Sequence, residues 1–196
     1  MVRLAVCLLV LASCSTVSPY RSVGDPAIDE PFAQAFKALE PLEKMEEATC
    51  ALHDLADQAS ALRGVIKIDG KKFKISGSKL DELPPGLRGG LQKLNEGMSK
   101  VSAMQTQLKK VGAELKALAP KWGSEDAKIA RINLARDAIS ASPERLQAVG
   151  GELRKMVGLA QSATYWDRPL LCKEVEDRRA NRLIATTEST GGGGTA

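Results

Sequence analysis

The sequence predicts an all-α fold: an elongated up-down bundle of three long helices and a shorter C-terminal helix, with one small β-hairpin inserted. Three observations carry this. Apolar residues recur at spacings of three and four over three long stretches, the period of a single helix face. Aromatic residues make up only 4% of the 196, so the core must be built from Leu, Ala, Val, Ile and Met, which favours helices over a sandwich or barrel. A single stretch, 65–76, alternates with the period of a strand instead.

The bundle is expected over residues 30–186. Asp29-Glu30-Pro31 reads as the first helix start, an acidic cap followed by a proline in the first turn. Phe32, Phe36, Leu39, Leu42, Met45, Leu52, Leu55, Ala59 and Leu62 then form one stripe over about nine turns. The second helix has the seam Leu87, Leu91, Leu94, Met98, Val101, Gln105, Leu108, Gly112, Leu115 and Ala119. These heptad spacings span about 48 Å, weakened at Gln105 and Gly112. Pro120 and Gly123 end it.

Ser124 is placed to cap a third helix, with Glu125 and Asp126 in its first turn. Its seam is Ile132, Ala135, Ile139, Ser142, Leu146, Val149, Leu153, Met156, Ala160 and Ala163. The register passes through Pro143 unbroken, which predicts a kink, or a brief restart capped by Ser142. Asp167 and Pro169 open a charge-rich fourth helix to about Ala185, and 187–196 is expected to be disordered. Trp122 and Tyr165-Trp166 fall at the corners, where aromatics plug the ends of a core. The first helix is acidic and the second basic, so their flanks are expected to pair.

The interruption VIKIDGKKFKISGS reads as a hairpin turning at Asp69-Gly70, the preferred pair for a type I′ turn. Lys67, Lys71, Lys72, Lys74 and Lys79 make it the most basic patch of the chain. Two readings stand. The lysines blunt an exposed strand edge, or they contact an acidic partner: an anionic lipid, cell-wall carboxylates or a protein surface. Gly64 and Gly70-Lys71-Lys72 do not make a phosphate loop, because the spacing is one residue too long and no helix follows directly.

The chain begins MVRLAVCLLVLASC. Arg3, an apolar run from Leu4 to Leu11 and the small residues Ala12 and Ser13 have the layout of a secretory signal, expected over 1–13. The run is too short to span a bilayer, which takes about 20 apolar residues. Leu11-Ala12-Ser13-Cys14 resembles the lipobox of bacterial lipoproteins. That resemblance implies a lipid-modified Cys14, cleavage before it, and membrane attachment through the acyl chains. Ser15 in place of Asp implies the outer membrane, facing the periplasm, in a Gram-negative cell, and the outer face of the single membrane in a Gram-positive one. Residues 14–29 are then a flexible tether.

With the signal and Cys14 accounted for, Cys50 and Cys172 remain as a candidate disulfide in an oxidising compartment, although sequence leaves their contact open. His53, one turn from Cys50, is expected to be solvated beside that disulfide rather than a metal ligand with the two cysteines. Glu46, Asp54 and Asp57 read as the wet face of an acidic helix, and Arg178, Arg179 and Arg182 as solvated. No catalytic constellation, cofactor motif or metal-ligand set stands out. A net charge of +4 is too small a surplus to argue for nucleic acid. The expectation is a non-enzymatic scaffold or accessory subunit bound to an envelope protein. The alternative is a lipid or small-ligand carrier, and self-association through the heptads is open.

Overall fold

The computed structural model describes residues 21–55, 58, 61–62, 65–69, 72–118, 126–162 and 169–190. Their order is α1 (Pro26–His53), β1 (Ile66–Asp69), β2 (Lys72–Ile75), a short 3₁₀ helix (Gly77–Glu82), α2 (Pro85–Leu118), α3 (Asp126–Ser162) and α4 (Leu170–Thr190). The all-α class holds.

The first helix begins earlier than the sequence suggested. Asp25 is its N-cap, accepting from the Ala27 amide at 3.0 Å, and Pro26 fills the first position. Asp25-Pro26 carries the same signature as the Asp29-Glu30-Pro31 expected to do this work, and lies upstream of it. The helix also stops sooner, at His53. Leu62, Val65 and Ile66 are nevertheless buried in the same core cluster as Leu52. A straight continuation would carry Leu62 about 15 Å past Leu52 and out of that core, so the chain turns instead.

The helices alternate in direction, with α1 packed against each of the other three. Near its start, Ile28, Phe32 and Ala35 meet Val111 and Leu115 of α2 and Ile132 and Ala135 of α3. Midway, Leu39 and Leu42 meet Met104 and Leu108. At its far end, Met45, Ala48 and Leu52 meet Leu87, Leu91 and Leu94 with Val149, Leu153 and Met156. Thus α2 runs against α1, α3 runs with it, and α4 returns along it from Cys172 beside Cys50.

Two features of α2 depart from a plain heptad. Met104 and Val111 are buried where Gln105 and Gly112 were expected to face inward; Gln105 is exposed. The buried line steps Met98, Val101, Met104, two successive threes that shift the seam by one residue. Glycine sets the closeness of α1 and α2. A Cβ on Gly90 would lie 2.7 Å from Leu52 Cδ2, and one on Gly97 would collide with Met45 and stand 3.1 Å from the Pro41 carbonyl oxygen.

Within α3 the helix runs through Pro143 without a restart. Proline has no amide to offer the Ile139 carbonyl four residues back. The Ser142 hydroxyl donates to that oxygen at 2.7 Å, so Ser142 repairs the ladder rather than capping a new helix. The fourth helix extends to Thr190, one turn into the segment expected to be disordered, because prolonging a helix costs far less than nucleating one. Trp122, Ser124, Tyr165, Trp166, Asp167 and 191–196 lie outside the described residues.

Candidate functional site

The hairpin is part of the bundle's end rather than a loose insertion. Its strands pair Ile66 with Ile75, Lys67 with Lys74, Ile68 with Phe73 and Asp69 with Lys72. This places the link at 70–71, one residue later than the expected Asp69-Gly70 turn. The observed register aligns two apolar pairs, where a turn at Asp69-Gly70 would set Ile68 against Lys71. Val65, Ile66, Leu80 and Leu83 sink into the core, and the Ser76 amide donates to the Val65 carbonyl at 2.8 Å. Leu80 and Leu83 went unread in the sequence because a 3₁₀ turn has no long period to detect.

The lysines therefore sit on a fixed platform. Lys67 and Lys79 are exposed, Lys72 and Lys74 occupy positions of β2, and Lys71 lies outside the described residues. Lys67 and Lys74 are directly opposed across the strands. Like charges so placed have Cβ atoms about 5 Å apart and destabilise a pair. The hairpin stands at the pole where α1 ends, with Ile66 in the same core cluster as Leu52.

At the opposite pole the incoming chain is fastened down. Asp29 accepts from the Ser22 hydroxyl at 2.5 Å and from the Val23 and Gly24 amides at 3.3 and 3.1 Å. It also pairs with Arg131 Nε at 2.7 Å. Gly24 has φ +70°, a left-handed turn that a side chain would strain. Arg131 donates to the Arg21 carbonyl at 2.7 Å and lies 3.7 Å above the Phe32 ring. Burial alone would raise the Asp29 carboxyl, but the Ser22 hydroxyl, the two amides and Arg131 outweigh it and hold it below its ordinary value. Burial draws the Arg131 guanidinium below its usual value against the opposing pull of Asp29.

This clamp corrects the expected tether. Residues 21–25 are bound to the bundle and α1 begins at Pro26, inside the span 14–29 expected to be flexible, and residues 14–20, Cys14 included, lie outside the described residues.

Between the poles runs a ladder of charge. Glu46, expected on the wet face, is 1% exposed. Arg145 of α3 grips both its oxygens at 2.8 and 2.7 Å, and Arg178 of α4 adds a bond at 2.9 Å. One turn earlier, Arg182 holds Glu43 in the same two-pronged way at 2.7 and 2.8 Å. Arg178 and Arg182 are thus specific partners and not solvated charges. Among the described ion pairs, α1 turns its carboxylates toward α3 and α4 rather than toward basic α2. Helical wheel position hides this, because Glu46 falls on an arc that is polar in α1 alone and buried only once α3 and α4 are laid upon it.

Cys50 and Cys172 meet as a disulfide with Cα atoms 5.5 Å apart. His53 is buried at 7% exposure, contrary to the solvated position expected. Among the described residues no three potential metal ligands gather, and no helix is long and apolar enough to cross a membrane. Open grooves run between the described helices. One, about 440 Å³, lies between α2 and α3 beside Met104, Leu108, Ile139 and Leu146. Another, about 730 Å³, lies between α2 and α4 with the disulfide on its floor.

No family model, curated protein or solved structure matches the chain.

Proposed function

We propose that this chain is a lipid-anchored, periplasm-facing envelope protein, a non-enzymatic scaffold or accessory subunit that presents its lysine pole to an acidic protein partner. The observation that carries the reading is the opposed Lys67–Lys74 pair, kept on a platform at the end of α1 remote from the fastened N-terminal segment. Like charges opposed across a strand pair lower its stability, and an acidic surface would relieve them. The α1 rod is about 42 Å long, and with the lipid at the end where the chain enters α1, the lysines stand at the far end from it. Attachment by more than one acyl chain is effectively stable, and the outer membrane is the proposed site.

The test is crosslinking in the native envelope of the chain and of a Lys67→Glu, Lys72→Glu, Lys74→Glu variant. The reading expects a protein adduct that the variant loses while remaining folded and membrane-bound. Equal capture by both refutes the lysine contact. In a Cys14→Ala chain, membrane attachment should be lost. A second reading, a lipid or small-ligand carrier, draws on the groove beside Met104, Leu108, Ile139 and Leu146. It requires co-purifying lipid and a melting temperature raised by that lipid.

A further inference from the structure

We propose that the Cys50–Cys172 disulfide is a redox-released latch, which holds α4 on the bundle and lets it go when a dithiol reductant opens the bond. The division of contacts along α4 points to this. Leu171 and Cys172, in its first turn, are buried, while Leu170 and Leu183 are 71% and 58% exposed. Farther along, Val175 is only partly buried, and the described attachments to α1 are the ion pairs of Arg178 with Glu46 and Arg182 with Glu43. The covalent link therefore stands at the one turn that α4 plants in the core. Among the described side chains beyond it, Val175 still packs on that core, and Arg178 and Arg182 add ion pairs at the border of solvent.

The body beneath is prepared for departure. Arg145 engages both oxygens of Glu46, so withdrawal of Arg178 leaves that buried carboxylate paired. Arg178 keeps Glu174 of its own helix at 3.7 Å, and the Arg182 side chain already borders solvent at 36% exposure. Of the described pairs, release of α4 leaves Glu46, the most deeply buried carboxylate, still held by Arg145, whereas breaking a buried pair ordinarily strands a charge.

The bond lies beside a groove. Cys50 and Cys172 both line the open groove between α2 and α4, and Cys50 is the less deeply buried of the two, 9% exposed against 1%. A thiolate of the reductant attacks Cys50 Sγ, forming a mixed disulfide and expelling the Cys172 thiolate, which takes a proton. The second thiol of the reductant then attacks its own bonded sulfur, releasing Cys50 as a thiol. The protein disulfide gains two electrons and two protons, and the dithiol becomes a disulfide.

The experiment uses the full chain with Cys7→Ser and Cys14→Ser, air-oxidised, against the same sample after dithiothreitol, followed by amide hydrogen exchange. On reduction, protection within 170–190 should fall by about tenfold or more, while α1, α2 and α3 keep theirs. A Cys172→Ser variant should show the loose α4 without reductant. Unchanged protection of α4 would overturn the latch, and so would equal loss throughout the bundle, which marks a global staple. Two free thiols in the air-oxidised chain would overturn it as well.

Discussion

Replacing Glu46 by Gln tests whether the charge ladder organises the bundle. The substitution keeps the size of the side chain and removes the charge that two arginines share. Arg178 has water and Glu174 to turn to, its side chain being 28% exposed. Arg145 has no such exit, at 11% exposure, and is left as a buried cation without its counter-ion. Breaking a buried pair from one side costs about 3–5 kcal/mol. For a chain of this size that lowers the melting temperature by about 6–20 °C, at roughly 2–4 °C per kcal/mol. Urea denaturation followed by circular dichroism gives the free energy, with an unchanged slope showing that the compactness of both states is preserved. Combining Glu46→Leu with Arg145→Met should recover most of the loss, since an apolar pair replaces the ionic one. A cost below about 1 kcal/mol, the level of an exposed pair such as Glu40–Lys44, would refute the reasoning.

Three other outcomes follow from the same geometry. Gly97→Ala should destabilise by about 1–3 kcal/mol in the same denaturation experiment, through collision with Met45 and the Pro41 carbonyl. Gly151→Ala, with nothing within 4 Å of the new methyl, should stabilise by about 0.5–1 kcal/mol. Ser142→Ala should cost about 0.5–1.5 kcal/mol by depriving the Ile139 carbonyl of its donor, and Ser142→Thr should restore most of it. Asp29 supplies a pH dependence. Its folded carboxyl lies below the ordinary value of 3.8, so its contribution is complete above the unfolded value and is lost as pH falls through the folded one. Proteolytic nicking around 21–25 should rise in that acid window, and Asp29→Asn should show the raised nicking at neutral pH.

The helices were legible because each buries a stripe that a single sequence pattern can report. Leu87, Leu91 and Leu94 of α2, and Ile132, Ala135 and Val149 of α3, stand in the core where their spacing put them. What escaped depended on more than one segment. The glycines at 90 and 97 carry no hydrophobic signal, and their purpose is visible only in the side chains of α1 that press on them. Glu46 and Arg145 are 99 residues apart, so neither position announces the other. The early start of α1 and the ordered 21–25 segment turn on Asp29, whose three local donors and distant Arg131 no linear pattern collects. The cysteine pair was legible as a candidate by elimination, and its closure needed the return of α4 along α1.

The measurement that bears most directly on the account is the intact mass, without reductant, of untagged chain extracted from its own membranes. The account predicts loss of the residues before Cys14, added acyl mass, and a further deficit of about 2 Da from the Cys50–Cys172 bond. An unprocessed chain beginning at Met1 and carrying no acyl mass would contradict it, and with it the placement of the lysine pole away from the membrane.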